Sequence, residues 1–288
     1  MQRNSFEQVT IICVTYQSLA LVESLAATLQ PFPHVVVIDN DSKDGTASAA
    51  RKLLPHAMII ERTDNGGFGK ANNEAMAQVR TPFALLLNPD CDIKPDGLLT
   101  LMDTLWRYPS AGMAAPQSWR ANQKPQKCFR PAFFNTSPKK PYRVADSTCC
   151  AQWLNGCCLL LRTDAFRHIG GFDENFFLFY EDDDLCLRMQ KAGFECLFEP
   201  AANAWHAGGV SSAPSLRVSF TRSFHYARSR HLAIRKYLGK VAGWRYLIKI
   251  MLAAVPAALI YTLLLKRRHF IKWVAWGSSA VSSAFARN

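Results

Sequence analysis

Residues 35–54 read VVVIDNDSKDGTASAARKLL, and this stretch decides the fold. Val35–Asp39 is a short β-branched run of the length of a fully buried strand. Asp41–Gly45 gathers turn-forming residues, and Thr46 can cap a helix that runs to about Leu54. The same alternation extends in both directions. Upstream, Val9–Thr15 reads as a buried strand and Ser18–Leu29 as a helix. Downstream, Met58–Glu61 is a third strand, and NGGFGKANN (65–73) is a glycine-rich loop opening a helix to about Val79. Phe83–Leu87 (FALLL) is a fourth strand. Strands alternating with helices imply parallel pairing through right-handed crossovers. The expected class is α/β, a Rossmann-like, mostly parallel central sheet flanked by helices.

Open sheets of this kind bind ligands at the carboxyl ends of their strands, so polar residues should collect after each apolar run. They do: Thr15 and Tyr16 after the first, Asp39 and Asn40 after the second, Asn65 with its glycines after the third, and Asn88, Asp90 and Asp92 after the fourth. Turn chemistry explains any one set; four together point to a site. Carboxylates at the end of a buried strand can hold Mg²⁺ or Mn²⁺, above all when diphosphate oxygens complete the shell. Asp90 in NPDCD is the first candidate, flanked by Asn88 and Asp92.

The second half is less regular. A helix is expected from Leu98 to Tyr108, and the Pro- and Lys-rich segment 122–143 reads as a mobile connection or lid. Order returns with WLNGCCLLLR (153–162), read as one strand, and continues through GGFDENFFLFYEDDDLCLR (170–188). Glu181 to Asp184 are four carboxylates directly after an aromatic run. Acidic residues favour the first turn of a helix, yet aromatic walls raise the cost of unpaired charge, which implies a nearby cation or a proton to be taken. His206, in NAWHAGGVSS (203–212), reads by itself as a surface histidine.

The ordered motifs VTIICVTYQS (9–18), VVVIDNDSKDGT (35–46), NGGFGKANN (65–73), LLLNPDCDIKPD (85–96), WLNGCCLLLRTDAF (153–166) and GGFDENFFLFYEDDDLCLRMQKAGF (170–194) resemble those of a family 2 glycosyltransferase of the GT-A fold. The likeness is strongest to its rhamnosyltransferase-like branch and covers about residues 8–210. It implies that Thr15, Tyr16, Asp39 and Asn40 surround the base and ribose of a sugar nucleotide, with Asn65, Gly67 and Asn72 approaching the same ligand. Asp90 would be the metal-binding member of a D-x-D whose first Asp is Asn88 here. Asp92 either compensates for that lost charge or caps the next turn. His206 would complete the metal shell.

Asp182 would be the general base of an inverting displacement, with a helix cap as the plainer alternative. Glu181 and Asp183 would orient the loop, bind acceptor or cap the helix, and Asp184 would be structural. Trp153, Asn155 and Gly156 would wall the acceptor or donor sugar, although Trp153 could equally be core.

The chain has 288 residues, a net charge of +12 and 49% hydrophobic content, enough for one large domain with an appendage. The charge is uneven. Residues 1–199 hold 20 Lys+Arg and all 22 Asp+Glu, while residues 200–288 hold 14 Lys+Arg and no acid. The basic character therefore belongs to the tail, which speaks for an anionic membrane surface and against nucleic acid. IMLAAVPAALIYTLLL (250–265) is the most apolar window; at sixteen residues and interrupted by Pro256 it is too short for a preferred spanning helix.

An interfacial helix with Trp244, Tyr246, Trp273 and Trp276 at headgroup level fits better, a soluble helical cap being the alternative. HYARSRHLAIRKYLG (225–239) reads as a basic amphipathic helix, and the resemblance implies that it lies near the acceptor, where Arg228 and Arg230 would meet a lipid diphosphate. Nine cysteines without a CxxC pair and an N-terminus without a signal peptide suit a reduced setting.

The expected domains are 1–215, with nucleotide-binding and acceptor halves at about 1–97 and 98–215, and a basic helical tail at 216–288. The expected function is transfer of a sugar from a nucleotide-diphosphate donor, with Mn²⁺ or Mg²⁺, to a lipid-linked or oligosaccharide acceptor. It would take place at the cytoplasmic face of the plasma membrane, in polysaccharide or lipopolysaccharide synthesis. A nucleotidyltransferase and a non-catalytic nucleotide-binding scaffold are the alternatives.

Overall fold

The computed structural model describes residues 5–135, 141–207 and 215–285. The strands are β1 (Val9–Thr15), β2 (Val35–Asp39), β3 (Met58–Glu61), β4 (Phe83–Leu87), β5 (Cys91–Ile93), β6 (Ala111–Trp119), β7 (Phe129–Arg130), β8 (Cys149–Cys150), β9 (Trp153–Leu154), β10 (Cys158–Arg162) and β11 (Glu195–His206). The helices are α1 (Val22–Leu29), α2 (Thr46–Leu53), α3 (Phe68–Met76), α4 (Pro95–Arg107), α5 (Thr163–His168), α6 (Glu181–Lys191), α7 (Leu216–Leu238), α8 (Lys240–Leu263) and α9 (Arg267–Phe285). The chain divides into two compact units: Met1–Glu174 with Asp182–Ser212, and Asn175–Glu181 with Ala213–Asn288.

The first unit is built on a sheet ordered β3-β2-β1-β4-β10-β6-β11-β5, with β8 paired to β11. Strands β3, β2, β1 and β4 pair in parallel, as do β6 and β11, whereas β10 runs antiparallel between β4 and β6. The unbroken apolar runs have a simple cause: both faces of the sheet are covered. On β1, Val9, Ile11 and Cys13 join one core with α1, α2 and α4, while Ile12 joins another with α3, α5 and α6. Period-two alternation thus separates two cores rather than core from solvent.

Two expectations are corrected here. WLNGCCLLLR is not one strand: β9 pairs with β7 in a separate two-stranded ribbon, and the chain turns at Asn155–Cys157 before β10 enters the main sheet. Nor are the described parts of 122–143 a loose connection. Phe129 packs on Phe198 with ring centroids 4.5 Å apart, Tyr142 Oη donates to Gln117 Oε1 at 2.9 Å, and Cys128 is buried. Residues 136–140 lie outside the described set.

The second unit groups α7, α8 and α9 with the strap Asn175–Glu181. Phe177 stacks on His225 at 4.1 Å, Phe179 meets Tyr226 edge-on at 5.6 Å, and Ser229 Oγ donates to the Leu178 carbonyl at 2.8 Å. Phe179 and Tyr180 are consecutive left-handed residues, with φ of 68° and 66°. Such a conformation costs about 1–2 kcal/mol for a residue bearing Cβ, so the packing around the strap must hold it.

Helix α8 is longer than its apolar run suggested. It has 24 residues, about 36 Å at 1.5 Å per residue, continues through Pro256, and is long and apolar enough to cross a membrane. Loss of one backbone donor at Pro256 is tolerated because α8 packs along both α7 and α9.

Leu160 lies fully buried on β10, paired to Leu85 of β4 and Ala114 of β6. Leu160→Ala should therefore cost about 2–5 kcal/mol, read as a lower urea midpoint with unchanged slope.

Candidate active site

The carboxyl ends of β1 and β2 are tied together by polar side chains. Thr15 Oγ1 donates to Asp39 Oδ1 at 2.9 Å, and the Ser42 amide donates to Asp39 Oδ2 at 2.8 Å. Each Asp39 oxygen keeps a further lone pair for a ligand hydroxyl. Asn40 Nδ2 donates to Asn65 Oδ1 (2.9 Å) and to the Gly67 carbonyl (3.2 Å), and Asn40 Oδ1 accepts from the Gly66 amide. The glycine-rich loop is thereby clamped against the end of β2.

The members of this group differ in what they can reach. Tyr16 is 39% exposed and presents its ring, whereas Thr15 and Asn72 are enclosed. Asn72 Nδ2 is spent on the Phe68 carbonyl at 2.9 Å. Asp39 and Asn40 are nearly as buried as Thr15 and Asn72, so Tyr16 is the exposed member of the group.

Beyond β4, the tight turn Asn88–Cys91 is closed by a 3.0 Å bond from the Cys91 amide to the Asn88 carbonyl, and it brings Asp90 against the end of β11. There the Ala207 amide donates to the Asp90 carbonyl, and His206 Nε2 lies 3.3 Å from Asp90 Oδ1, with the carboxylate 1% and the imidazole 14% exposed. Gln126 orients the ring. Its Nε2 donates to the His206 carbonyl at 2.9 Å, so its Oε1 accepts from His206 Nδ1, also at 2.9 Å, leaving Nε2 aimed at Asp90.

Burial lowers the His206 pKa, but hydrogen bonds to Asp90 and Cys157 and their charges outweigh it and hold the value at about 10. The site thus favours a cation. One carboxylate oxygen and one imidazole nitrogen suit Mn²⁺ or Mg²⁺ when phosphate oxygens fill the remaining positions.

Asp92 stands apart from that pair. Its carboxylate accepts from Thr28 Oγ1 at 3.1 Å and meets Lys94 Nζ at 2.8 Å. Among the described residues no group of three or more His, Cys, Asp or Glu could hold a metal ion unaided. The contacts of Asp92, on β5, tie it to α1 and to Lys94.

The carboxylates of α6 have separate environments. Asp184 is 1% exposed and pairs with Arg188 Nε at 2.7 Å. Asp183, 4% exposed, receives Arg130 Nη2 on both oxygens at 2.8 and 2.7 Å. Glu181, at the first position of the helix, is buried. Asp182 keeps part of its surface open, and its Oδ1 accepts from the Asp183 amide at 2.9 Å.

Burial raises the Asp182 pKa against the opposing pull of Arg130, the Asp183 and Gly156 amides and Trp153. Asp183 is pushed up to about 7, first by burial and then by the Asp182 charge. A carboxyl group raised in this way suits proton abstraction near neutral pH.

One turn links the two acidic groups. The Asn88 amide donates to the Cys157 carbonyl at 2.9 Å, and Cys157 also meets His206. The neighbouring Gly156 lies so close to Asp182 that an added Cβ would stand 3.3 Å from the Asp182 Cβ. Asn155 holds the turn, its Oδ1 accepting from the Cys157 amide and its own amide donating to the Cys128 carbonyl. His206 and Asp182 therefore border the same three residues, and Asp90 is connected to them through Asn88 and His206. Two contributors were missed in the sequence, Gln126 and Arg130. Both lie in the segment read as a mobile connection or lid, and both take their roles from partners distant in the chain.

A family model described as "Glycosyltransferase like family 2" matches residues 7–233. The chain is 28% identical to an N-acetylglucosaminyl-diphospho-decaprenol L-rhamnosyltransferase of Mycobacterium tuberculosis, over 77% of this chain and 84% of the relative. It is 26% identical to the rhamnosyltransferase WbbL of Escherichia coli, over 71% and 86%. Among solved structures, a mannosyltransferase of Pyrobaculum calidifontis in complex with GDP-Man and Mn²⁺ superposes with a TM-score of 0.61 at 19% identity, over 98% of this chain and 88% of the other.

The Asp90–His206 pair has a thermodynamic signature. A histidine raised from 6.5 to about 10 stabilises the fold fully below about pH 6.5, and that contribution fades as pH climbs through about 10. In Asp90→Asn the imidazole pKa should drop markedly, because burial remains and the carboxylate is gone; an NMR titration of the His206 ring in metal-free protein reads it.

Proposed function

Because the chain belongs to glycosyltransferase family 2, whose model spans residues 7–233, we propose that it transfers L-rhamnose from a dTDP donor to a lipid-linked saccharide with inversion at the anomeric carbon. The observation that carries this reading is the Asn155–Cys157 turn, which borders Asp182 on one side and, through Asn88 and His206, supports Asp90 on the other. The sugar rests on the names of the two rhamnosyltransferase relatives, and the polyprenyl-diphosphate acceptor class on the name of the Mycobacterium tuberculosis one.

In this reading Tyr16 lies along the base, and Asp39, Asn40, Asn65 and Gly67 line the ribose and phosphates. Asp182 takes the proton from the acceptor hydroxyl as its oxygen attacks the anomeric carbon. The bond from that carbon to the diphosphate breaks, and its electron pair leaves with the nucleoside diphosphate. A divalent ion held by Asp90 and His206 would neutralise charge on the diphosphate. Gly156 keeps the space beside the Asp182 carboxylate clear, and Trp153 and Asn155 wall the sugar.

The lipid-linked acceptor places the reaction at a membrane, which we assign to the cytoplasmic face. On α8, Val241, Trp244, Ile248, Leu252, Val255, Leu259 and Leu263 recur every three or four residues and are 49–83% exposed, a continuous apolar stripe. Its opposite face buries Gly243, Leu247, Ile250 and Ala254. Spanning would draw α7 and α9, packed along α8, into hydrocarbon with cations such as Arg228, Arg230 and Lys272.

An in-plane position on anionic lipid agrees with the absence of acids after Glu199. Of the aromatic residues expected at headgroup level, Trp244 is exposed. Tyr246 and Trp276 turn partly inward, Trp276 stacking on Tyr226 at 6.0 Å.

Purified protein should release dTDP from dTDP-L-rhamnose, in the presence of Mn²⁺ and N-acetylglucosaminyl-diphospho-polyprenol. Asp182→Asn should lose about 10²–10⁴-fold in rate while keeping donor affinity, and Asp90→Ala should lose metal-dependent donor binding. Full activity in both variants would refute the assignments, and pyrophosphate release from a nucleoside triphosphate would instead mark a nucleotidyltransferase. Sedimentation with phosphatidylglycerol vesicles should weaken with salt and fail in Leu252→Asp/Leu259→Asp.

A further inference from the structure

The α6 carboxylates pose a problem that the transfer scheme leaves unsolved. Asp182 and Asp183 are adjacent and both held in surroundings that disfavour charge, with Asp184 next in line and already spent on Arg188. Like charges so placed cannot all ionise without a counter-charge. Among the described groups acting on the Asp182–Asp183 pair, Arg130 is the cation; the others are Asp184, the Cys186 thiol, the Trp153 indole and the Asp183 and Gly156 amides.

Arg130 comes from β7, 53 residues away in sequence from Asp183, and three contacts fix its plane. Nη2 chelates both Asp183 oxygens, Nη1 donates to the Pro131 carbonyl at 3.1 Å, and the guanidinium carbon lies 4.1 Å from the Trp153 ring centroid. β7 itself is pinned by its pairing with β9, which carries Trp153.

We propose that Arg130 is a positioning residue of the transfer reaction: its ion pair with Asp183 and its stacking on Trp153 hold the Asp182 carboxylate and the indole wall in one fixed arrangement. Asp183 is then the anchor for Arg130 rather than an acceptor ligand. The proposal rests on the reading of Asp182 as the base. A planar, permanently charged fork is required because the residue must stack and pair at once, which a lysine cannot do.

The test compares Arg130→Lys, Arg130→Gln and Arg130→Gln/Asp183→Asn in the same dTDP-rhamnose assay, with pH–rate profiles from about pH 5 to 9. Arg130→Gln should lose about 10- to 100-fold in kcat with donor KM unchanged. The acidic limb of its profile should move to higher pH, since the charge that favours ionised Asp182 is gone and the rate needs that ionised form. Arg130→Lys should keep the limb near its wild-type position and still lose kcat. The double variant, which removes the uncompensated carboxylate, should bring the limb back down.

Wild-type kcat and an unmoved limb in Arg130→Gln would overturn the proposal. So would a loss of rate in all three variants that follows a lower melting temperature with no change in limb. If Arg130→Gln alone fails to fold, the lysine and double variants decide by the same readouts. Asp182→Asn run alongside separates the two claims: an active Asp182→Asn sinks the base assignment, whereas an inactive one beside an unaffected Arg130→Gln sinks only the role of Arg130.

Discussion

The site depends on the turn Asn155–Cys157, where a side chain at position 156 would press on Asp182. Asp182 stands where a Cβ on residue 156 would crowd it, so the open Gly156 lets α6 approach the end of β10. On the other flank, the Cys157 carbonyl receives the Asn88 amide and fixes the turn that bears Asp90. A displaced turn would move both acidic groups at once. The strand that follows the turn is held on both sides: β10 lies between β4 and β6, and all five of its residues pair with β4.

Charge is handled differently on the two sides. At Asp90 the counter-charge in the structure is the His206 imidazole, 3.3 Å away, and in the proposed reaction its proton would give way to a bound ion. At Asp183 the counter-charge is permanent and built in. A site that must exchange diphosphates needs the first kind near the leaving group. If Asp182 is the base of the proposed reaction, a permanent counter-charge beside it would keep its surroundings constant while its own proton comes and goes.

Much of this was legible in the sequence wherever the controlling physics is local. β1 to β4 and their crossover helices follow from short apolar runs and Asn/Asp/Gly turns, and the same turns placed Asp39, Asn40, Asn65 and Asp90 at the correct edge of the sheet. What could not be read depends on partners distant in the chain. Arg130 acquires its role from Asp183, and Gln126 from His206, 80 residues away. The break after Leu154 is marked in the sequence by the turn-forming pair Asn155-Gly156, which a reading of 153–162 as one strand passes over; what the sequence does not show is that β9 pairs with β7. Pro256 misled in the opposite direction: it signals interruption locally, but α8 is held by its neighbours along the whole length.

The strap Asn175–Glu181 has a bearing on how the chain is made. Its aromatic residues find Tyr226, His225 and Ser229 only after α7 has emerged, some fifty residues later, whereas β11 can join the sheet well before that. During synthesis, then, Phe177, Phe179 and Tyr180 are left without their shelter, and two of them must adopt a backbone twist that nothing yet enforces. A ribosomal product ending near residue 215 would carry a largely complete nucleotide-side sheet and an unsheltered apolar segment immediately ahead of α6, a species suited to capture by chaperones rather than to turnover.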